Sequence, residues 1–442
     1  MRPRLSIAAA PLVGLAAAML AAAAQPDPPA PPRSSAWLGR LPHGEAKRKF
    51  ILDCTGCHQF DEKIARPAGV PRTESQWVEA VTRMLGYAGA TTSFPVIAAD
   101  RDAKGTAAWL SRHLTSGAVA DIQLPPAGRA DVREYMLPVA QDLPHDLTVE
   151  PSGDVVITGM FSHRLYRLNP ASGALTEIAI PVDGANPRAI DRDRSGRTWV
   201  VLGQPKRLAM VAADSRWRSW DVGMYPHSLA IAPDGKVWFN GHFTRDPELI
   251  GSVDAASDKV VTYPVPPHPT MAKGPGGPIP YEIRAASDGR IWLGELQGNR
   301  LVSLDPATGR FRTYDMPTPY SGPRRFDVDA KGTLWIPAYS ANLLVRLDPA
   351  TGKFTEIPLP LKDALPYVAR VDPRDGAVWL GTAAADVLLR YRPAAGRFDS
   401  FALPSRGALV RHLALDPKSG AVWLAYGASP GIPARIARVL PQ

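Results

Sequence analysis

Cysteine is scarce: Cys54 and Cys57 are the only two in a chain of 442 residues. A small scaffold stapled by disulfides is thereby excluded, since such scaffolds need several cross-links for their length. Beyond the first two dozen residues no long apolar run occurs, so no later segment is expected to cross a bilayer. A basic run is missing too. The net charge of +9 is spread along the chain, which argues against a nucleic-acid partner and leaves anionic partners open. Apolar residues at 45% and charged residues at 21% are the balance of a folded chain. What abounds is punctuation: 46 Pro and 37 Gly disfavour long helices and suit short strands joined by turns.

Residues 1–24 carry Arg2 and Arg4, then an apolar stretch from Leu5 to Leu20, then Ala21 to Ala24 before Gln25. This is the pattern of a cleaved secretory signal, so the mature protein is expected to be exported or periplasmic, without membrane insertion. Residues 25–42, with their PDPPAPP segment, read as a stiff linker rather than a packed element.

Both cysteines fall in Cys54-Thr55-Gly56-Cys57-His58, the C-x-x-C-H pattern of covalent c-type haem attachment. Two thiols at this spacing meet the two vinyl groups of one porphyrin, and the next residue places an imidazole under the iron. The expected cofactor is haem c, with His58 as axial ligand. A redox dithiol does not need the His, and a zinc site would need a second ligand pair. A helix is predicted from His43 to His58. A second opens at the capping box Thr73-Glu74-Ser75-Gln76 and carries Trp77, Val81, Met84 and Leu85; a third runs from Ala103 to Leu114. Helix, haem motif, helix and final helix over residues 43–120 resemble the class I cytochrome c domain. Met84 is the candidate sixth iron ligand, since a thioether raises the haem potential and suits electron transfer. Core packing is the other reading of Met84; His113, His268 and Met271 are further candidates.

From Pro144 onward the chain copies itself about every 43 residues. The units begin PHDLTVEPSGDVV, PRAIDRDRSGRTW, PHSLAIAPDGKVW, PYEIRAASDGRIW, PRRFDVDAKGTLW, PYVARVDPRDGAVW and VRHLALDPKSGAVW, at Pro144, Pro187, Pro226, Pro280, Pro323, Pro366 and Val410. Each reads strand, tight turn, strand with Trp, strand, turn, strand. Four short strands per repeat make a propeller blade. The expected fold is an all-β seven-bladed β-propeller over residues 132–442, preceded by a small all-α haem domain. The seventh unit stops short of its fourth strand, and Arg133 to Pro138 matches the outer strands of the other units. Residues 132–138 are therefore expected to complete the last blade and close the ring.

The wording PYEIRAASDGRIWLGE closely resembles the streptogramin B lyase (virginiamycin B lyase) family, over about residues 132–442. The resemblance implies a carbon–oxygen lyase with a general-base His after a blade-opening Pro, a Mg2+-associated Glu fourteen residues further on, and a second His one blade earlier. Here the Glu falls on Glu295 and the earlier His on His227, while the base position holds Tyr281. A phenol titrating near about 10 is a poor base at neutral pH, so this departure weighs against elimination chemistry.

The residues that follow the blade-opening position are His145, Arg188, His227, Tyr281, Arg324, Tyr367 and Arg411. Innermost strands start at the mouth of the central channel, so these side chains are expected to converge in a basic funnel able to grip carboxylate, phosphate or phenolate. The alternative is local pairing with acids such as Asp146, Asp191 or Asp327. His242 and His412 read as structural or exposed. The long connection from Pro264 to Pro280 could form a lid or dock the haem domain. Three functions follow. One is a haem c protein in electron transfer or redox chemistry, whose propeller binds a redox partner protein or a small-molecule substrate. The others are a streptogramin-type lyase with an appended cytochrome, and a non-catalytic propeller scaffold.

Overall fold

Seven four-stranded antiparallel sheets ring a central channel in the computed structural model. It describes residues 30–442 apart from 213, 272–275 and 428–431; the signal-like residues 1–24 and the first linker residues, 25–29, lie outside the described residues. Blades 1 to 7 open at Pro144, Pro187, Pro226, Pro280, Pro323, Pro366 and Val410. The repeated Trp explains the blade-to-blade packing. Trp199, Trp238, Trp292, Trp379 and Trp423 are all but fully buried. In blades 2 and 5 a turn acid satisfies the indole: Trp199 donates to Asp193 at 2.9 Å and Trp335 to Asp329 at 3.1 Å. At the same turns Gly196 and Gly332 take positive φ, which a side chain would oppose.

Strand β1, Ala130–Met136, pairs antiparallel with Arg435–Pro441 and supplies the outer strand of blade 7. It begins two residues earlier than the sequence pattern indicates. Glu134 pins it, accepting from the Ser405 backbone at 3.1 Å and from Arg435 at 3.2 Å, with Tyr426 on the same carboxylate. Glu134→Ala leaves Arg435 and Tyr426 without that acceptor and is expected to lower stability by about 1–3 kcal/mol, measurable by urea unfolding.

In six blades the innermost strand carries a register shift directly after its opening residue. The extra residue lets two successive side chains reach the channel, which plain alternation would forbid. Blade 5 departs further. Only Asp327–Val328 pairs there as a strand, and Arg325 bridges to Val368 of the next blade.

Ahead of the propeller the described residues form five α-helices: α1 Ser34–Leu38, α2 Glu45–Cys54, α3 Glu62–Ala65, α4 Glu74–Ala88 and α5 Ala103–His113. The predicted capping box is present, with Thr73 accepting from the Gln76 backbone at 3.3 Å and Gln76 accepting from that of Thr73 at 2.9 Å. Two expectations need correction. The linker reading fails over residues 34–41, where α1 forms and Trp37, Leu38 and Leu41 are buried, because these apolar side chains follow the Pro cluster directly. The helix predicted to reach His58 stops at Cys54, leaving Thr55 to His58 as a turn. The helical core of Trp37, Phe50, Ile51, Phe60, Trp77 and Leu110 continues without a break into propeller residues Ile279, Leu296, Tyr339 and Leu409. Module and propeller thus share one core. Among the described residues no helix is long and apolar enough to cross a membrane.

Candidate functional site at the propeller mouth

All seven residues of the expected funnel are buried. The Tyr281 and Tyr367 hydroxyls lie 2.5 Å apart, and Arg324 donates to Tyr281 at 3.0 Å. The Arg324 guanidinium lies 4.0 Å over the Tyr339 ring and 4.3 Å over that of Tyr367, while Arg411 reaches the Tyr367 hydroxyl at 3.3 Å. His227 stacks on His242 at 4.3 Å, has His145 at 5.3 Å, and donates from Nδ1 to the Tyr281 carbonyl at 2.9 Å. Arg188 covers the Tyr225 ring at 5.0 Å.

Half of this ring is not open. The turn Thr55-Gly56-Cys57 presses into it from the helical module. Tyr339 donates to the Thr55 carbonyl at 2.9 Å and meets its hydroxyl at the same distance. Arg411 donates to the carbonyls of Gly56 at 3.2 Å and Cys57 at 2.5 Å. A Cβ at residue 56 would come within 2.5 Å of the end of the Arg324 guanidinium, which would have to shift to admit any larger residue. Around the turn, Lys47 pairs with Asp363 at 2.7 Å, and Asp53 takes Arg101 at 2.7 Å and Gln297 at 2.9 Å. Sequence reading missed Tyr339 and Arg325. Tyr339 gave no signal, but the doubled Arg324-Arg325 departs from every other unit.

Within the motif Cys54 is half-buried and Cys57 exposed, both with free thiols. Burial, with Asp53 adjacent, pushes the Cys54 thiol up to about 12, the reverse of what an exchange-active dithiol requires. His58 Nδ1 lies 3.0 Å from the Gln59 carbonyl. A carbonyl only accepts, so Nδ1 carries the proton and the opposite nitrogen, Nε2, remains for a ligand bond. Met84 is 37% exposed on α4, whereas Trp77 and Val81 point into the core, so the core-packing reading does not describe it. His113 sits edge-on to Trp109 at 5.8 Å, and His268 donates to the Gly298 carbonyl at 2.9 Å. The long connection touches the module, Gly276 donating to the Ala90 carbonyl at 3.3 Å; residues 272–275 lie outside the described residues.

The positions carried over from the lyase resemblance do not form a metal centre. Glu295 is fully buried and accepts from Arg300 Nε at 2.6 Å, with Glu248 3.7 Å from the same guanidinium. A positive charge thus occupies the place a cation would need, so this donor set does not fit Mg2+. Among the described residues no cluster of three or more His, Cys, Asp or Glu could hold a metal ion. Tyr281, at the base position, has its phenol pushed up by burial and by Tyr367. His145, His227 and His242 are held below their ordinary range, first by burial and then by nearby cationic groups.

One level below the mouth the charges pair off. Asp146 takes Arg325 at 2.6 Å and His145 at 2.7 Å, with His412 at 3.5 Å; Glu282 takes Arg284 at 2.9 Å and Arg370 at 3.4 Å. Local pairing, the alternative to an open funnel, therefore holds at this second level. Beneath lies a cavity of about 500 Å³, lined among others by Asp191, Asp327 and His412.

The buried trio Glu248, Arg300 and Glu295 carries a pH signature. Burial pushes both carboxyls above the usual range, and Glu295 pushes Glu248 further. The folded protein then keeps protons that the unfolded chain releases, so this trio costs stability as pH rises above about 4.5. Glu248→Gln is expected to raise the melting temperature, with a gain that grows between about pH 5 and pH 8. A gain equal at every pH would contradict the assignment.

The fold defines the class first: a seven-bladed β-propeller carrying an amino-terminal helical module. Within that class the propeller is lyase-like. The sequence profile described as the Virginiamycin B lyase family matches residues 269–438. Virginiamycin B lyase from Staphylococcus aureus superposes with a TM-score of 0.62 at 19% identity, over 71% of this chain and 100% of that one. A catalytically inactive variant of that enzyme with quinupristin gives 0.62 at 20% identity, over 71% and 100%. Hydrazine synthase from Kuenenia stuttgartiensis gives 0.53 at 16%, over 69% and 98%. Identities this low establish the propeller fold and nothing about activity. No curated protein matches in sequence.

Proposed function

We propose that this chain is an exported c-type cytochrome whose lyase-like propeller holds the haem-bearing turn at its mouth. Cys54 and Cys57 would hold haem c through thioether bonds, His58 Nε2 would ligate the iron, and Met84 is the candidate second iron ligand. Bound there, the haem would carry single electrons to or from a redox partner or a small substrate. The observation that carries this reading is the docked C-x-x-C-H turn. Arg411 and Tyr339 hold the backbone of Thr55, Gly56 and Cys57 against the channel mouth, and Gly56 lies close under the Arg324 guanidinium. The residues have distinct tasks. His58 donates from Nδ1 to Gln59, which sets its ring orientation; Arg411 and Tyr339 hold the backbone of the turn; Cys57 stays at the surface, where a partner can approach.

Elimination chemistry is the less favoured reading. Tyr281 is hydrogen-bonded to Tyr367 instead of waiting as a base, and Glu295 faces Arg300. The test has two parts. Protein produced with haem-maturation machinery should show a reversible change in haem absorbance on chemical reduction, absent from Cys54→Ser/Cys57→Ser. Incubation with quinupristin and Mg2+ should leave the ring closed. Ring opening without a change in mass, in a protein lacking haem, would overturn the proposal in favour of a lyase.

A further inference from the structure

The mouth buries more positive charge than the chain neutralises. Arg188, Arg324 and Arg411 are exposed by 6%, 2% and 6%, and each has an Nε with no hydrogen-bond partner. No described carboxylate forms an ion pair with any of the three, and Asp146, one level down, is already paired with Arg325. Burying a cation without a counter-charge is costly, and neutral acceptors leave the net charge in place. Tyr339 and Tyr367 partly offset Arg324, and Arg411 and Arg324 draw down the Tyr367 phenol against its burial. The carbonyls of Gly56 and Cys57 receive Arg411. Arg188 has only the electron-rich face and hydroxyl of Tyr225.

Blades 7, 1 and 2 follow one another around the ring, so Arg411, His145 and Arg188 form an arc, continued by His227, which borders Tyr281. His145 lies between the two guanidiniums and is kept neutral by burial and by the fields of Arg325, Arg188 and Arg411. Two cations flanking a neutral imidazole, with an unpartnered nitrogen on each cation, suit a planar oxyanion.

The geometry points to a carboxylate-binding site on the arc Arg411–His145–Arg188, beside the haem-attachment turn. The site does not depend on the haem; the haem reading only adds one source of the ligand, a haem propionate, to the other, a free small carboxylate. Oxalate is the probe. Calorimetric titration and thermal unfolding would be run on the haem-loaded protein, on Cys54→Ser/Cys57→Ser, and on each with Arg188→Met. Arg194→Met, at an exposed arginine, is the control. Oxalate is expected to bind and stabilise the cysteine-free protein, with Arg188→Met weakening it at least tenfold and Arg194→Met leaving it unchanged. Without oxalate, Arg188→Met should melt no lower than its parent, because it removes an unpaired buried charge. Binding to both haem-free and loaded forms assigns a free carboxylate. Binding to the haem-free form alone, with a changed haem potential in loaded Arg188→Met, assigns a propionate. If Arg188→Met proves too unstable to assay, Arg188→Lys is read the same way, with weakening expected from the lost bidentate geometry. Absence of oxalate binding to the cysteine-free protein, or equal binding by the Arg188 variants, would overturn the site. Because the cysteine-free protein carries the assay, failure of the haem reading would leave this result standing.

Discussion

Asp146→Ala is expected to destabilise the protein by about 3–5 kcal/mol, the range for removing one partner of a buried ion pair. Arg325 is 1% exposed and has Asp146 as its counter-charge at 2.6 Å. Its chain position allows no escape, because the backbone of Arg325 is fixed to the neighbouring blade by hydrogen bonds with Tyr367 and Ala369 at 3.2 and 2.8 Å. The same carboxylate holds His145 at 2.7 Å and has His412 at 3.5 Å. Without it, one guanidinium and two imidazoles face each other across the channel. The double variant Asp146→Ala/Arg325→Met removes the orphaned charge and should recover much of the loss. Urea unfolding of the single and double variants measures this. A single variant within about 1 kcal/mol of wild type would show that water reaches Arg325 and that the channel charge is screened.

The second large effect is local. Arg411→Ala removes two charge-assisted hydrogen bonds from the carbonyls of Gly56 and Cys57. Such bonds contribute about 1.5–3 kcal/mol each, and one lost bond of that size opens a segment roughly 10- to 100-fold more often. Amide exchange at Gly56 to Gln59 should accelerate by about that factor, while the hairpin turn at Asp288-Gly289 in blade 4 should not change. Tyr339→Phe should act in the same direction with a smaller effect, since it loses neutral bonds to Thr55 only. Unaltered protection in Arg411→Ala would mean that the shared apolar core alone seats the turn.

Where the fold was legible, the sequence repeated a physical device. In blades 2 and 5 an acid three residues before a turn glycine, with Trp three further on, states the turn, the indole acceptor and the inter-blade contact in one phrase, as Asp193, Gly196 and Trp199 show. The missing outer strand was legible for the same reason, because REYMLP repeats the wording of TEIAIP, RTYDMP, TEIPLP and DSFALP. Blade 5 was not, since its inner strand yields to Arg325, whose partner Asp146 lies across the channel in blade 1. At the site, the convergence of the mouth residues followed from strand order. Its covering by Thr55-Gly56-Cys57 did not, because the contacts join residues hundreds of positions apart. The ion pair that disarms Glu295 was within reach: Glu295 and Arg300 face each other across a short hairpin.

The central claim is that the cysteines of the docked turn carry a haem. The most direct measurement is the mass of the denatured protein, purified from cells that mature c-type cytochromes and treated with an alkylating reagent. The account predicts one haem retained through denaturation, on the peptide holding Cys54 and Cys57, with neither thiol alkylated. Two alkylated cysteines and no retained haem would contradict it.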